Sequence, residues 1–155
     1  GYVLASEQIT AKLFDAKTAT NSHTSMLPQV ICAEFFRRGY YPAHHRMICD
    51  LYRERRDTMI ECIDTFFPRG TKRVFPDGGL FTWAELPGGI NTTELLAESL
   101  ADPGVRVAFV AGEGFFIEGN GMGSNCMRIS FGSTPPERIR IGAERLGRLI
   151  CRKAG

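Results

Sequence analysis

The residues with the clearest chemical potential lie in a short segment, 126–132, in which apolar and polar side chains alternate. Met127, Ile129 and Phe131 fall on one face of a predicted strand, and Arg128 and Ser130 fall on the other. A guanidinium in the middle of a half-buried strand needs a partner, and its planar fork of donors fits a carboxylate. Arg128 is therefore a candidate carboxylate-binding residue. The structural alternative is an internal salt bridge or an arginine that extends to solvent.

Glycines and aromatic residues mark three further segments. Gly78 and Gly79 precede a predicted strand, where they allow close backbone approach to a ligand or form a plain turn. Residues 107–116 carry several phenylalanines, a pattern typical of core packing or of a segment that closes over substrate. Residues 119–123 resemble a phosphate-binding loop only in glycine content, because a strand follows where the dinucleotide motif requires a helix. We predict a flexible turn there.

Taken in order, segments 76–87, 107–116 and 126–132 resemble the C-terminal third of class I/II aminotransferases of fold type I, which use pyridoxal phosphate. The resemblance is nearest to the group that acts on 2-aminoadipate, kynurenine, aromatic or branched-chain amino acids. It extends over nearly the whole chain, from Gly1 to the last predicted helix. It implies that the parent protein moves an amino group from an amino acid to a 2-oxo acid.

The resemblance also implies roles for individual residues. Arg128 would hold the α-carboxylate of the substrate, and Gly79 and Phe81 would lie beside the substrate. His23 and Ser25 lie where the family brings a helix toward the active site or the partner subunit. The resemblance further implies that the parent is a homodimer.

The cofactor itself is expected outside this chain. In the family, the lysine that bonds pyridoxal phosphate shortly precedes a Gly-Tyr strand, and the sequence begins at Gly1 and Tyr2. The lysines that are present stand in polar contexts that predict solvated surface charges: Lys12, Lys17, Lys72 and Lys153. We therefore expect pyridoxal phosphate in the full-length parent. We expect the chain alone to contain no catalytic residue, to bind no cofactor covalently and to have no transamination activity.

Two other functional classes stay open. The same domain occurs in transcriptional regulators of the GntR/MocR type, which join a winged-helix DNA-binding module to an aminotransferase-like body that binds an effector. A DNA-binding module upstream of the chain would identify such a regulator. The third class is a free-standing domain for binding or assembly, in which Arg128 is a vestigial anchor.

Composition excludes several classes of protein. The chain has 155 residues, 43% of them hydrophobic, and a formal net charge of +2, which is too small to favour nucleic-acid binding. It contains no apolar run of the roughly 20 residues that a membrane span needs, and no signal peptide is recognisable. Five widely spaced cysteines and three histidines form no metal-binding pattern, so no metal site is expected. We expect a cytoplasmic protein with reduced thiols.

The pattern of elements predicts an α+β fold, a two-layer sandwich in which helices cover a small, mostly antiparallel sheet. Helices are expected in the first half, after a short strand at Gly1 to Ala5. Four strands and two more helices are expected in the second half: strands at 72–75, 80–86, 106–110 and 126–131, and helices from Thr93 and after Thr134. By the resemblance, residues 1–40 belong to the large cofactor domain and the subunit interface, and residues 41–155 form the small domain.

Overall fold

The computed structural model describes residues 2–117 and 121–154. In this part of the chain five α-helices, four β-strands and one short 3₁₀ helix follow one another. The helices are α1 (Glu7–Asn21), α2 (Met26–Arg37), α3 (Tyr41–Phe66), α4 (Thr92–Ala101) and α5 (Pro136–Ala154). The strands are β1 (Lys72–Arg73), β2 (Phe81–Glu85), β3 (Val110–Ala111) and β4 (Cys126–Ser130), and the 3₁₀ helix is Glu113–Phe115.

The chain divides into two compact units, Gly1–His45 and Arg46–Gly155. The first unit contains α1, α2 and the start of α3, and none of the residues of α1 or α2 is buried. Ser6, a residue type that favours this place, stands at the N-cap position of α1. Gly39 follows the end of α2 and has a φ of 73°, a conformation that glycine adopts without strain. The assignment of residues 1–40 and 41–155 to two domains of the parent stays a prediction.

The second unit is built on one antiparallel sheet with the strand order β1-β2-β4-β3. The buried side chains of the central strands, among them Ala84, Met127 and Ile129, join one hydrophobic core with residues of three helices. α3 supplies Met59, Cys62 and Ile63, α4 supplies Leu95, and α5 supplies Ile139, Ala143, Leu146, Leu149 and Ile150. The predicted α+β fold is confirmed, since helices cover one face of a small antiparallel sheet.

The alternation predicted for residues 126–131 is confirmed in β4. Met127 and Ile129 are buried, whereas Arg128 is half-buried and Ser130 is exposed. Phe131, the next inward residue, is 1% exposed. The period of two in β4 therefore separates a core face from a second face that carries Arg128.

The predicted strand at 106–110 is mostly wrong, because only Val110 of that segment pairs with β4. The preceding residues bind α4 instead. The backbone N–H of Arg106 donates to the Ser99 carbonyl (2.9 Å), and the Ser99 hydroxyl donates to the Val107 carbonyl (2.7 Å). Since Ser99 is fully buried, these bonds hold the segment against the helix and away from the sheet.

The predicted strand at Gly1 to Ala5 is also wrong for the described residues 2–5, which form no strand. Gly1 and residues 119 and 120 of the predicted glycine-rich turn lie outside the described residues. A β-strand needs a hydrogen-bonded neighbour, and residues 2–5 have none among the described residues. A short run of apolar residues was therefore insufficient evidence for a strand.

Asn91 caps the N-terminus of α4. Its side-chain oxygen accepts hydrogen bonds from the backbone N–H groups of Thr93 (2.8 Å) and Glu94 (3.2 Å). We expect Asn91→Ala to lower the free energy of unfolding by about 1 kcal/mol, because it leaves these two donors without the cap. Urea denaturation of the two proteins measures the difference. Asn91→Asp, which keeps an accepting oxygen at the same place, should lose much less.

Candidate functional site

The candidate site lies on the sheet face opposite the helices and is centred on Arg128. Across the sheet, Arg128 stands between Trp83 of β2 and Val110 of β3, its register partners on the two sides. The register pairs Phe81 with Ser130, so Phe81 lies diagonally from Arg128 on the same face. The arginine thus occupies the middle of a three-strand row.

Aromatic rings enclose the guanidinium. The central carbon of the Arg128 guanidinium lies 4.3 Å from the centroid of the Phe81 ring and 5.2 Å from that of the Phe115 ring. Such contacts contribute about 0.5 kcal/mol when exposed and about 2 kcal/mol when desolvated. These contacts stabilise the positive charge, but a phenyl ring supplies no carboxylate oxygen to accept hydrogen bonds from the guanidinium.

A second layer of contacts fixes these rings. Trp83 meets Phe115 edge to face at a centroid distance of 5.4 Å, and its ring lies 6.4 Å from that of Phe116. Phe116 in turn packs on Gly123, where a Cβ atom would come within 2.0 Å of the Phe116 ring. Gly123 also has a φ of 73°, so two independent constraints favour glycine there. We call the four rings of Phe81, Trp83, Phe115 and Phe116 the aromatic cluster.

Arg128 has no salt bridge to any carboxylate of the described residues. Its Nε is buried and has no hydrogen-bond partner among them. A buried donor on a charged group that lacks a partner costs more than about 1–3 kcal/mol. The internal salt bridge considered from the sequence is therefore absent from the described parts of the chain, and the arrangement can accept an anion.

Gly79 and Phe81 come from the same turn and strand. Phe81 contacts Arg128, whereas Gly79 lies in the exposed turn before β2 and has a φ of 87°. A Cβ atom on Gly79 would meet nothing within 4 Å, so the backbone conformation alone accounts for the glycine in this chain. Its approach to a ligand stays a prediction.

His23 and Ser25 belong to the first unit, in the connection between α1 and α2. The Nδ1 atom of His23 lies 2.9 Å from the Thr24 carbonyl oxygen, and both predicted residues are exposed. Ser25 occupies the N-cap position of α2, where its side chain makes no capping hydrogen bond. Their predicted place near an active site stays a prediction.

Trp83 belongs to the aromatic cluster although the sequence did not predict it, and the phenylalanines of residues 107–116 lie in two different environments. Phe109 is buried in the core, whereas Phe115 is 49% exposed and belongs to the aromatic cluster. The signal for Trp83 was the period of two, which places it on the same face of β2 as Phe81. For Phe115 no local signal exists, since its position depends on the 3₁₀ helix that follows β3.

Arg56 of α3 is another arginine that contacts an aromatic ring. Its side chain is 19% exposed, its guanidinium lies 4.5 Å from the Phe75 ring centroid, and it donates to the Pro76 carbonyl. The neighbouring Arg55 donates to the carbonyl of Gly132, two residues beyond the end of β4. Two arginines of α3 thus bind the loop before β2 and the loop after β4.

Metal sites and reactive thiols are the other kinds of chemistry that histidines and cysteines could supply. The described residues contain no group of three or more His, Cys, Asp or Glu side chains placed to hold a metal ion. Burial raises the pKa of the Cys62 and Cys126 thiols, which disfavours their reactive thiolate forms. None of the helices in the described ranges has both the length and the apolar character of a membrane span.

The lysines lie on the surface. Lys17, Lys72 and Lys153 contact Asn21, Glu85 and Glu98, at distances of 3.1, 3.2 and 2.5 Å. Lys12 is exposed as well. None of these side chains belongs to the aromatic cluster around Arg128.

The comparisons with known proteins agree on one group. No family model matches the chain. Aromatic-amino-acid aminotransferase 1 of Thermococcus litoralis is 37% identical over 97% of this chain and 35% of its own length. The 2-aminoadipate transaminase of Thermus thermophilus is 34% identical over 96% of this chain and 36% of its own length.

The chain is also similar to a solved aminotransferase structure and, at lower identity, to a transcriptional regulator. The multiple substrate aminotransferase of Thermococcus profundus superimposes with a TM-score of 0.83 and 32% identity, covering 97% of this chain and 36% of that protein. An uncharacterized HTH-type transcriptional regulator of Bacillus subtilis is 24% identical over 97% of this chain and 30% of its own length.

The chain spans about a third of the length of the aminotransferases that it matches. The identity extends over almost all of its residues, and the fold agrees with the solved relative over the same extent. The chain therefore belongs to the family of the aromatic-amino-acid, 2-aminoadipate and kynurenine aminotransferases, and it corresponds to the C-terminal part of these proteins.

Proposed function

We propose that this chain supplies the carboxylate-binding half of the active site of an aminotransferase. The full-length enzyme transfers an amino group from an amino acid to a 2-oxo acid, and Arg128 binds the α-carboxylate that both substrates share. The observation that carries the proposal is the half-buried guanidinium, held by two aromatic rings and lacking a carboxylate partner among the described residues.

The chemistry of Arg128 explains why an arginine suits this task. Its fork of N–H donors matches both oxygens of a carboxylate, so it fixes the orientation of the substrate as well as its position. Orientation matters because the reaction breaks a particular bond at the substrate Cα, and a fixed geometry lowers the entropic part of the barrier. The rings of Phe81 and Phe115 exclude water around the ion pair and thereby strengthen it.

Pyridoxal phosphate, when bound in the full-length enzyme, supplies the electron sink for the transfer. The rest of the parent holds this cofactor, and the chain alone neither binds it covalently nor catalyses transamination. On this proposal, Arg128, Phe81 and Gly79 contribute substrate contacts, and proton transfer is a task of groups elsewhere. His23 and Ser25 are proposed, from the resemblance to the family, to lie near the active site or the partner subunit of the parent.

The parent is further proposed to be a cytoplasmic homodimer that acts on small-molecule substrates. Support comes from the first unit, where α1 and α2 expose large apolar side chains that a larger assembly would cover. Leu27, Val30 and Ile31 of α2 are 69%, 56% and 60% exposed.

Fluorescence of the chain itself tests the carboxylate site. The chain contains a single tryptophan, Trp83, the register partner of Arg128. We expect 3-phenylpropionate to change the emission of Trp83 in a saturable manner, because the carboxylate binds Arg128 beside that ring. The neutral 3-phenylpropionamide should have at least tenfold weaker effect, and Arg128→Gln should abolish the difference. Equal effects of acid and amide would refute the assignment.

A regulator is the second candidate function, supported by the 24% identical regulator relative. In that case Arg128 would bind the carboxylate of an effector instead of a substrate. The two functions separate in an assay of the full-length protein with an amino acid and a 2-oxo acid. Formation of the new amino acid supports the aminotransferase, and ligand-dependent DNA binding without turnover supports the regulator.

A further inference from the structure

A groove lies between α5 and residues 105–108, the segment that precedes β3. Its lining differs from that of the site around Arg128. Hydrogen bonds between Ser99 and residues 106 and 107 hold that segment against α4. The segment therefore does not extend β3 and does not pair with β4. The space left between residues 105–108, the end of β4 and α5 has a volume of about 530 Å³. This lies within the range of about 300–1,000 Å³ that is usual for small-molecule sites.

The floor and the rim of the groove differ in chemistry. Ile129, Ile139 and Leu146 lie beneath the groove and are at most 7% exposed, and the more exposed Val107 and Ile141 complete its apolar lining. Arg106, Arg138 and Arg145, all exposed, contribute the charged groups. No Asp or Glu is among the described residues that line it, and none of the three arginines has an ion pair with a described carboxylate. The residues at 138 and 145 are two helical turns apart and so lie on one face of α5. We call this space the arginine-rimmed groove.

We propose that the arginine-rimmed groove binds a small anion with an apolar body, of which a medium-chain carboxylate is the simplest example. The apolar floor gains from covering a hydrocarbon chain, and the rim supplies positive charge that has no internal carboxylate to neutralise it. A free inorganic anion would leave the floor exposed, and a neutral hydrocarbon would leave the arginines without a partner. The site is separate from the aromatic cluster, since neither Arg128 nor Phe81 lines the groove.

Titration with octanoate tests the site, with octanol as the neutral probe of equal chain length. Nuclear magnetic resonance of the methyl groups reports the location, because Val107 and Ile141 line the groove. We expect octanoate to shift these methyl signals in a saturable manner and octanol to bind at least tenfold more weakly. Arg138→Gln with Arg145→Gln should raise the Kd for octanoate at least tenfold. Arg140→Gln, on the same helix and outside the groove lining, should leave it unchanged.

A second variant tests the shape of the site without changing its charge. Gly142 lines the groove, and a Cβ atom there would lie 3.7 Å from Val107 Cγ2, an ordinary contact. Gly142→Leu extends a side chain into the space and should abolish the octanoate shifts. Equal affinity for octanol and octanoate would overturn the proposal. The proposal would also be overturned if octanoate shifted only signals of α1 and α2. The same holds if the affinity for octanoate were unchanged in both the double arginine variant and the leucine variant.

Discussion

In the full-length aminotransferase that we propose for this chain, Arg128→Ala lowers kcat/KM for the amino acid substrate by about a hundredfold to a thousandfold. Loss of one partner of a buried, hydrogen-bonded charge pair costs about 2–5 kcal/mol, and each 1.4 kcal/mol corresponds to a factor of ten. Phe81 and Phe115 cannot replace the lost donors, because their ring faces only stack on the guanidinium. Steady-state kinetics with a saturating 2-oxo acid measure the loss.

Arg128→Lys separates charge from geometry. Lysine keeps the positive charge but lacks the planar fork, so it should recover only part of the activity. The affinity for pyridoxal phosphate, measured by titration of the cofactor absorbance, should change by less than about twofold in both variants, since the proposed contact is with substrate. Arg140→Ala, at an exposed position on α5, is the matched control. A parallel loss of cofactor and substrate affinity would contradict the proposed role.

The candidate site shows what local sequence determines and what it leaves open. The alternation of residues 126–131 correctly predicted which side of β4 is buried, because burial of Met127 and Ile129 depends mainly on their own apolar side chains. The neighbours of Arg128 were not predictable in the same way. Trp83 and Val110 reach it through strand register, which is a long-range property of the sheet.

The failed strand at 106–110 has a specific physical cause. The apolar residues of that segment are compatible with a strand, and only Val110 pairs. A single buried hydroxyl on another element, that of Ser99, binds the segment at Val107 and competes with the sheet. Sequence patterns describe a segment's own preference, whereas a hydrogen bond to a residue on another element can override that preference. The arginine-rimmed groove results from the same competition.

Gly147→Ala should destabilise the second unit by about 2–3 kcal/mol, because the site has no room for a methyl group. Gly147 is buried in the middle of α5, and an added Cβ would come within 2.5 Å of the Phe66 carbonyl oxygen and 2.8 Å of Phe66 Cβ. The end of α3 would have to move away from α5, which shares the core with it. Urea denaturation followed by circular dichroism measures the loss.

Gly142→Ala on the same helix is the control, and it should have the opposite sign. Its Cβ would meet only Val107 Cγ2, at 3.7 Å, so no atom has to move. Replacing a helical glycine by alanine in open space stabilises by up to about 1 kcal/mol, since alanine loses less backbone entropy on folding. If Gly147→Ala and Gly142→Ala change the free energy of unfolding by the same amount, the gain in helix propensity at Gly147 outweighs the cost of the contact with Phe66. The close approach of α5 to Phe66 would then not be a constraint on this fold.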